Sequence, residues 1–209
     1  MGDFVHLHLH TEYSLLDGAV KISEIADKAI REGQSAVAIT DHGVMYGAVS
    51  FYTELKKKGI KPIIGCEVYV APRSRFDKDG KNDSSGNHLV LLVKNKQGYK
   101  NLCYMVSQSF INGFYSRPRI DMDLLSKHHE GLIALSGCIA GSIPRDIISG
   151  DMNSAEATAL EFKTLFGEDF YLEIQNHGMD DEMKVAFGLR LISQKHSIPL
   201  VATNDVHYL

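Results

Sequence analysis

Residues 4–11 read FVHLHLHT, with histidine at positions 6, 8 and 10 and leucine at 7 and 9. Side chains alternate across a β-strand, so a strand here turns His6, His8 and His10 to one face and Leu7 and Leu9 to the other. The leucines can anchor the strand in a core while the opposite face offers imidazoles, the commonest metal-binding side chains. One histidine on a strand is ordinarily a plain polar residue. Three at period two, with more histidine and acid downstream, point to a metal site.

Outward from this run, short apolar stretches alternate with helical-period segments, the pattern of a βα architecture rather than of a bundle or sandwich. Seven stretches read as strands: FVHLHLH, SAVAIT, KPIIGCEVYVA, HLVLLVKN, EGLIALSG, FYLEIQN and IPLVATN. Helices are expected at about 21–32, 46–58, 97–112, 121–128, 153–166 and 179–196. Closing the seven strands gives an α/β fold, a distorted seven-stranded barrel. Residues 73–87, RSRFDKDGKNDSSGN, are polar and aperiodic and read as a mobile loop.

The 209 residues suit a single domain spanning 1–209, and the abrupt finish on NDVHYL reads as a piece cut from a longer protein. Hydrophobic residues at 44% and charged residues at 23% exclude disordered and fibrous classes. No apolar run approaches a membrane span and no secretion signal precedes the first strand, so no membrane partner is expected and the cytoplasm is the default. Three cysteines, Cys66, Cys103 and Cys138, with no C-x-x-C pair, argue against a disulfide framework and a cysteine-rich zinc finger. A net charge of −4 leaves no global basic footprint for duplex DNA. Any phosphate substrate must be held locally, which bound divalent cations can do.

In α/β barrels functional groups gather at the C-terminal ends of strands. His8 and His10, Asp41 and His42, Glu67, Cys138, His177, Asp205 and His207 all fall at or just beyond such ends. His88 precedes its strand and joins them only if GCEVYVA and HLVLLVKN form a hairpin over the barrel mouth. Imidazoles mixed with carboxylates suit zinc, manganese or iron better than calcium. One tetrahedral ion takes about four ligands, so this set has room for two or three ions, an arrangement suited to in-line displacement at phosphorus. No G-x-S-x-G elbow, P-loop or dinucleotide fingerprint competes. SGCIAG around Cys138 superficially suggests a nucleophile turn, but a cysteine in line with the other donors reads better as a ligand.

Beyond spacing, the runs HLHLHTEYSLLDG, AITDHG, IIGCEVYV, NHLVLLVKNKQGYKNL, GFYSRPRID, LIALSGCIAG, YLEIQNHG and ATNDVHYL resemble the polymerase and histidinol phosphatase (PHP) domain across essentially the whole chain. GFYSRPRID and NDVHYL are most similar to the branch found at the N-terminus of bacterial replicative DNA polymerases. The resemblance implies a TIM-barrel-like PHP fold with up to three divalent ions. Its ligands would be His8, His10, Asp17, His42, Glu67, His88, Cys138, Asp205 and His207. Asp17 and Cys138 depart from the histidine-rich pattern of stand-alone phosphatases, and both can still bind metal. It further implies 3′ to 5′ exonuclease chemistry on a DNA primer 3′ end, depending on Glu67, His8 and Asp205. The remaining polymerase domains and other replisome subunits would be partners. A metal-stapled structural module and a stand-alone phosphatase are the competing readings.

Other residues carry weaker signals. His6 reads as a supporting or core residue, and Asp41 as either an orienter of a histidine or a turn residue. Arg117 and Arg119 flank a proline, and arginine suits bidentate phosphate contact. Arg119 is the expected backbone clamp, against a packing role before Asp121, which reads as a helix N-cap. His177 is a candidate phosphate contact. Tyr13 and Tyr46 could stack on a base, though a core or rim position is the commoner role.

Overall fold

The computed structural model describes residues 4–209. Seven strands form one curled sheet: β1 (Ala36–Ile39), β2 (Lys61–Val70), β3 (Asn87–Val93), β4 (Arg119–Ile120), β5 (Leu132–Leu135), β6 (Phe170–Ile174) and β7 (Leu200–Ala202). The order is β1-β2-β3-β5-β6-β7, with β4 beside β2. The pairs β1–β2, β5–β6 and β6–β7 are parallel, whereas β3 runs antiparallel to both neighbours. The expected hairpin is therefore present, with Tyr69 opposite His88.

Six of the seven expected strands form. FVHLHLH does not make a continuous strand; single bridges join His6 to Val37 and Leu9 to Val206. Its backbone bonds to two different neighbours, His6 O and Leu9 O accepting from Ala38 and Thr40, and His10 N donating to Val206 O. Sharing its ladder between β1 and the stretch beyond β7 breaks the regular pairing while keeping His8 and His10 buried. The seventh strand, β4, is two residues long, too short for a periodicity to show in the sequence.

The helices expected from the sequence appear as α1 (Ile22–Arg31), α2 (Ala48–Lys57), α4 (Lys96–Ile111), α5 (Met122–His128), α7 (Met152–Phe166) and α8 (Asp180–His196). Asp121 caps α5 by accepting from Leu124 N at 2.9 Å, as read from the sequence. Two more helices, α3 (Gly80–Asp83) and α6 (Ser142–Ser149), were not anticipated. The main core packs Leu89, Leu91, Leu102, Met105, Leu125 and Phe170 between the sheet and the helices outside it. Gly98 lets α4 press against the chain before β5, because a Cβ there would lie 1.8 Å from Gly131 O.

The segment 73–87 is tied down rather than loose. Arg73 makes two bonds to Asp83, at 3.0 and 2.6 Å, and Arg75 binds Asp121 at 2.7 Å. Polar composition marked this segment as a loop, but Arg73 and Asp83 pair within it and Arg75 reaches Asp121 at the start of α5. Among the described residues no helix is long and apolar enough to cross a membrane.

Candidate metal centre

Eight of the nine expected ligands gather around the ninth, Glu67, which is wholly buried in β2. His42 Nδ1 lies 2.5 Å and His10 Nε2 3.7 Å from Glu67 Oε2. His8 Nε2, His88 Nδ1 and Cys138 Sγ lie 3.2, 2.9 and 3.9 Å from Oε1. Asp205 Oδ1 sits 3.2 Å from His8 Nε2 and 3.1 Å from His10 Nε2. Asp17 closes the outer side, 3.4 Å from His42 Nε2 and 3.9 Å from His207 Nε2. The rings of His42 and His207 stack on His10 with centroids 4.0 and 4.4 Å away.

Three overlapping triads have donor atoms close enough to share an ion: His10, His42 and His207; His8, His10 and Glu67; His42, Glu67 and His88. Their chemistry fits a divalent cation for a specific reason. His8 Nε2, His10 Nε2, His42 Nδ1, Glu67 Oε2 and Asp205 Oδ1 are buried and meet one another at 2.5–3.7 Å without the angles of a hydrogen bond. Buried polar atoms are rarely left so, and here five of them point into one place. Ions seated among the triads would satisfy them.

Surrounding groups aim these atoms. His8 Nδ1 bonds to Glu173 Oε1 at 2.7 Å, so the ring directs Nε2 at the centre. Glu173 also accepts from Gly137 N, Gln175 Nε2 and Thr203 Oγ1. Such carboxylates fix ligand tautomer and raise basicity. Asp41 accepts from Thr11 N at 2.6 Å and from Ser14 Oγ at 2.9 Å, and that hydroxyl in turn meets His10 Nδ1 at 3.1 Å. Asp41 therefore orients a histidine, through Ser14, and pins the turn as well. Glu173 was missed; its position one residue from the apolar Leu172 and Ile174 was the available signal that it faces the other side of β6.

Burial dominates the electrostatics of His10 and holds its pKa down to about 4, so the imidazole is neutral and its lone pair free. Burial also opposes charge on Asp205 and Glu67, but the histidines around them outweigh it; Asp205 falls to about 2 and Glu67 lies well below the carboxylate range. Burial would lower His8 too, yet Glu173, Asp205 and Glu67 together raise it. Burial, followed by the Glu67 and Asp205 charges, pushes the Cys138 thiol up.

Two expectations about substrate contact need correction. Arg119 is completely buried, and its guanidinium donates to the carbonyl oxygens of Gly113, Asp83, Arg75 and Asp77 at 2.7–3.0 Å. No donor faces outward for a phosphate; the side chain ties the 73–83 segment to β4. His177 comes beside the residue preceding Asp205 but commits Nδ1 to Glu182 at 2.5 Å and Nε2 to Asn204 O at 2.8 Å. His6 is outside the cluster, edge-on to Phe4 with centroids 5.0 Å apart.

A curled α/β sheet with a buried His/Asp/Glu cluster at its strand ends defines the class, and the match of residues 6–177 to the PHP domain agrees: the chain belongs to the PHP family. It is 52% identical over 209 residues to DNA polymerase III subunit alpha of Borreliella burgdorferi. It is 48% identical to that of Treponema pallidum and 46% to that of Thermus aquaticus, covering 98% and 99% of this chain. It spans only 17–18% of the length of these relatives. Two solved structures share the fold. One is described as a metal-dependent phosphoesterase from Bifidobacterium adolescentis, with TM-score 0.58, 13% identity and coverage of 99% of this chain and 88% of that one. The other is an amidohydrolase from Chromobacterium violaceum with bound sulfate and no metal, with TM-score 0.54, 15% identity and coverage of 98% and 87%.

Proposed function

We propose that the chain is the PHP module of a bacterial replicative DNA polymerase and that it hydrolyses phosphodiesters at a DNA 3′ end with up to three divalent ions. The observation that carries this reading is the set of five buried imidazole and carboxylate atoms packed 2.5–3.7 Å apart around Glu67 without hydrogen-bond angles between them. Similarity to DNA polymerase III alpha subunits supports this reading, in which the rest of such a chain would synthesise DNA in the cytoplasm with replisome subunits as partners. The ligands are His8, His10, Asp17, His42, Glu67, His88, Cys138, Asp205 and His207.

Zinc, manganese or iron bound there would supply positive charge for phosphate oxygens and acidify water near neutral pH. The chain's own residues set up the rest. Glu67 turns Oε1 to His8, His88 and Cys138 and Oε2 to His42 and His10, so its two oxygens serve different parts of the centre. Glu173 and Ser14 hold the rings of His8 and His10 in the tautomers that leave Nε2 free. Asp17, half-exposed beside His42, marks the side open to solvent, where substrate enters.

The test is metal-dependent release of nucleotides from a labelled primer 3′ end, with His8→Ala and Glu67→Gln as comparisons. Release that both substitutions abolish supports the reading. Stoichiometric metal with no release under zinc, manganese or iron would make the centre a structural staple.

A further inference from the structure

Beside the metal centre lies an open cavity of about 300 Å³ whose wall runs from Asp17 and His42 to Tyr46, Phe110, Phe114 and Arg117. Its aromatic members are unusually exposed for their size: Tyr46 is 62% exposed and Phe114 49%. Phe110 and Phe114 lie nearly parallel, with centroids 6.3 Å apart and planes 25° from each other. They flank the end of α4 and the turn after it, so the rings are fixed by backbone on both sides.

Arg117 faces this cavity, unlike its sealed neighbour Arg119. A tight turn places it: Tyr115 N donates to Arg117 O, and Ser116 takes a left-handed backbone with φ of 58°. Among the described residues the guanidinium makes one hydrogen bond, to Tyr69 Oη at 3.2 Å, and lies 5.3 Å over the Tyr69 ring. Tyr69 in turn packs against His42 and His88. A cation with spare donors is thus braced through one aromatic residue against two candidate ligands.

We propose that this cavity is a nucleotide subsite: one unpaired base stacks on the Phe110–Phe114 wall while Arg117 holds a backbone phosphate. The inference rests on the phosphodiesterase reading of the adjoining centre and names the substrate form that centre receives. Stacking on aromatic faces is indifferent to base identity, and arginine matches phosphate geometry. Arg117 supplies locally the complementary charge that a chain of net charge −4 does not offer overall. The volume, about 300 Å³, is at the small end of ligand pockets, the scale of one nucleotide rather than a base pair. A frayed 3′ terminus enters at least cost when it is mispaired, since unstacking is then cheapest.

The test measures fluorescence anisotropy of a labelled single-stranded oligodeoxythymidylate with a cleavage-resistant phosphorothioate end, in manganese. Phe110→Ala/Phe114→Ala should weaken binding about tenfold. Arg117→Gln should weaken it and reduce the salt slope by about one. An abasic oligomer should bind the wild-type chain as weakly as thymidylate binds the double variant. Variants that bind within about twofold of wild type, abasic DNA that binds as well as thymidylate, or no binding to wild type would each overturn the subsite. Hydrolysis of a small chromogenic phosphodiester, run in parallel, reports on the centre separately. A chain that cleaves the diester while failing the binding test loses the subsite alone, and one that binds DNA through the wall but cleaves nothing loses the phosphodiesterase.

Discussion

Replacing Arg119 with methionine keeps an unbranched apolar stem that ends about where Nε stood and removes every donor. Four carbonyl oxygens, on Gly113, Asp83, Arg75 and Asp77, then lose their partner inside a site that is 0% exposed. Each bond to a charged donor is worth roughly 1.5–3 kcal/mol, but the four do not add, because the 73–83 segment can shift and admit water. A net loss of about 3–5 kcal/mol is the expected cost of emptying a buried, fully bonded cation position. For a chain of this size that lowers Tm by about 6–20 °C. Urea unfolding followed by circular dichroism, with Arg117→Met as the exposed comparison, reads it directly. If Arg119→Met unfolds within about 0.5 kcal/mol of wild type, the strap is not held by this residue and the phosphate-clamp reading of Arg119 returns.

Glu173→Gln should keep the fold and weaken metal binding about 10–100-fold, measured by competition with a chromogenic chelator, because the carboxylate no longer fixes His8; unchanged affinity would remove its orienting role. Gly98→Ala should cost about 1–3 kcal/mol in urea unfolding, since the new Cβ would meet backbone at Gly131 O. Asp121 is opposed by burial, but bonds from the backbone of Arg75 and Leu124 and the Arg75 guanidinium hold its pKa below normal. A lowered folded pKa contributes stability above the unfolded value near 3.9 that is lost as pH falls through the folded value. Asp121→Asn should therefore be less stable at neutral pH and show a shallower acid limb; parallel urea midpoints across pH 2–7 would contradict this. Chelation of bound metal should lower Tm in proportion to the logarithm of free metal over Kd, as ligand linkage requires; a Tm indifferent to chelator would mean no ion is held in the folded state.

Legibility in the sequence followed physical range. The α2, α4, α7 and α8 helices carry their pattern in their own residues, and strands β2 and β3 their long apolar runs, so local reading located them. The clustering of these residues was equally readable, because histidines and acids at several strand ends stand out from apolar surroundings. What failed was set by contacts distant in sequence. FVHLHLH alternates as a strand should, but its pairing is divided between Val37 and Val206, far apart in the chain. Arg119 and Arg117 are two residues apart with the same side chain. Only the fold shows that one meets four carbonyls and the other a solvent-facing cavity. Residues 73–87 looked mobile because their partners, Asp121 and Arg119, lie more than thirty positions away. Glu173 carried only the faint signal of alternation, and nothing in its own strand announces His8.

Equilibrium dialysis of the purified chain against manganese, with bound metal and release of 3′-terminal nucleotides measured on the same samples, tests the central claim most directly. The account predicts that release rises only as the centre fills toward three equivalents, and that Glu67→Gln lowers both together. Full release from a chain holding no metal, or a filled centre that never releases a nucleotide, would contradict it.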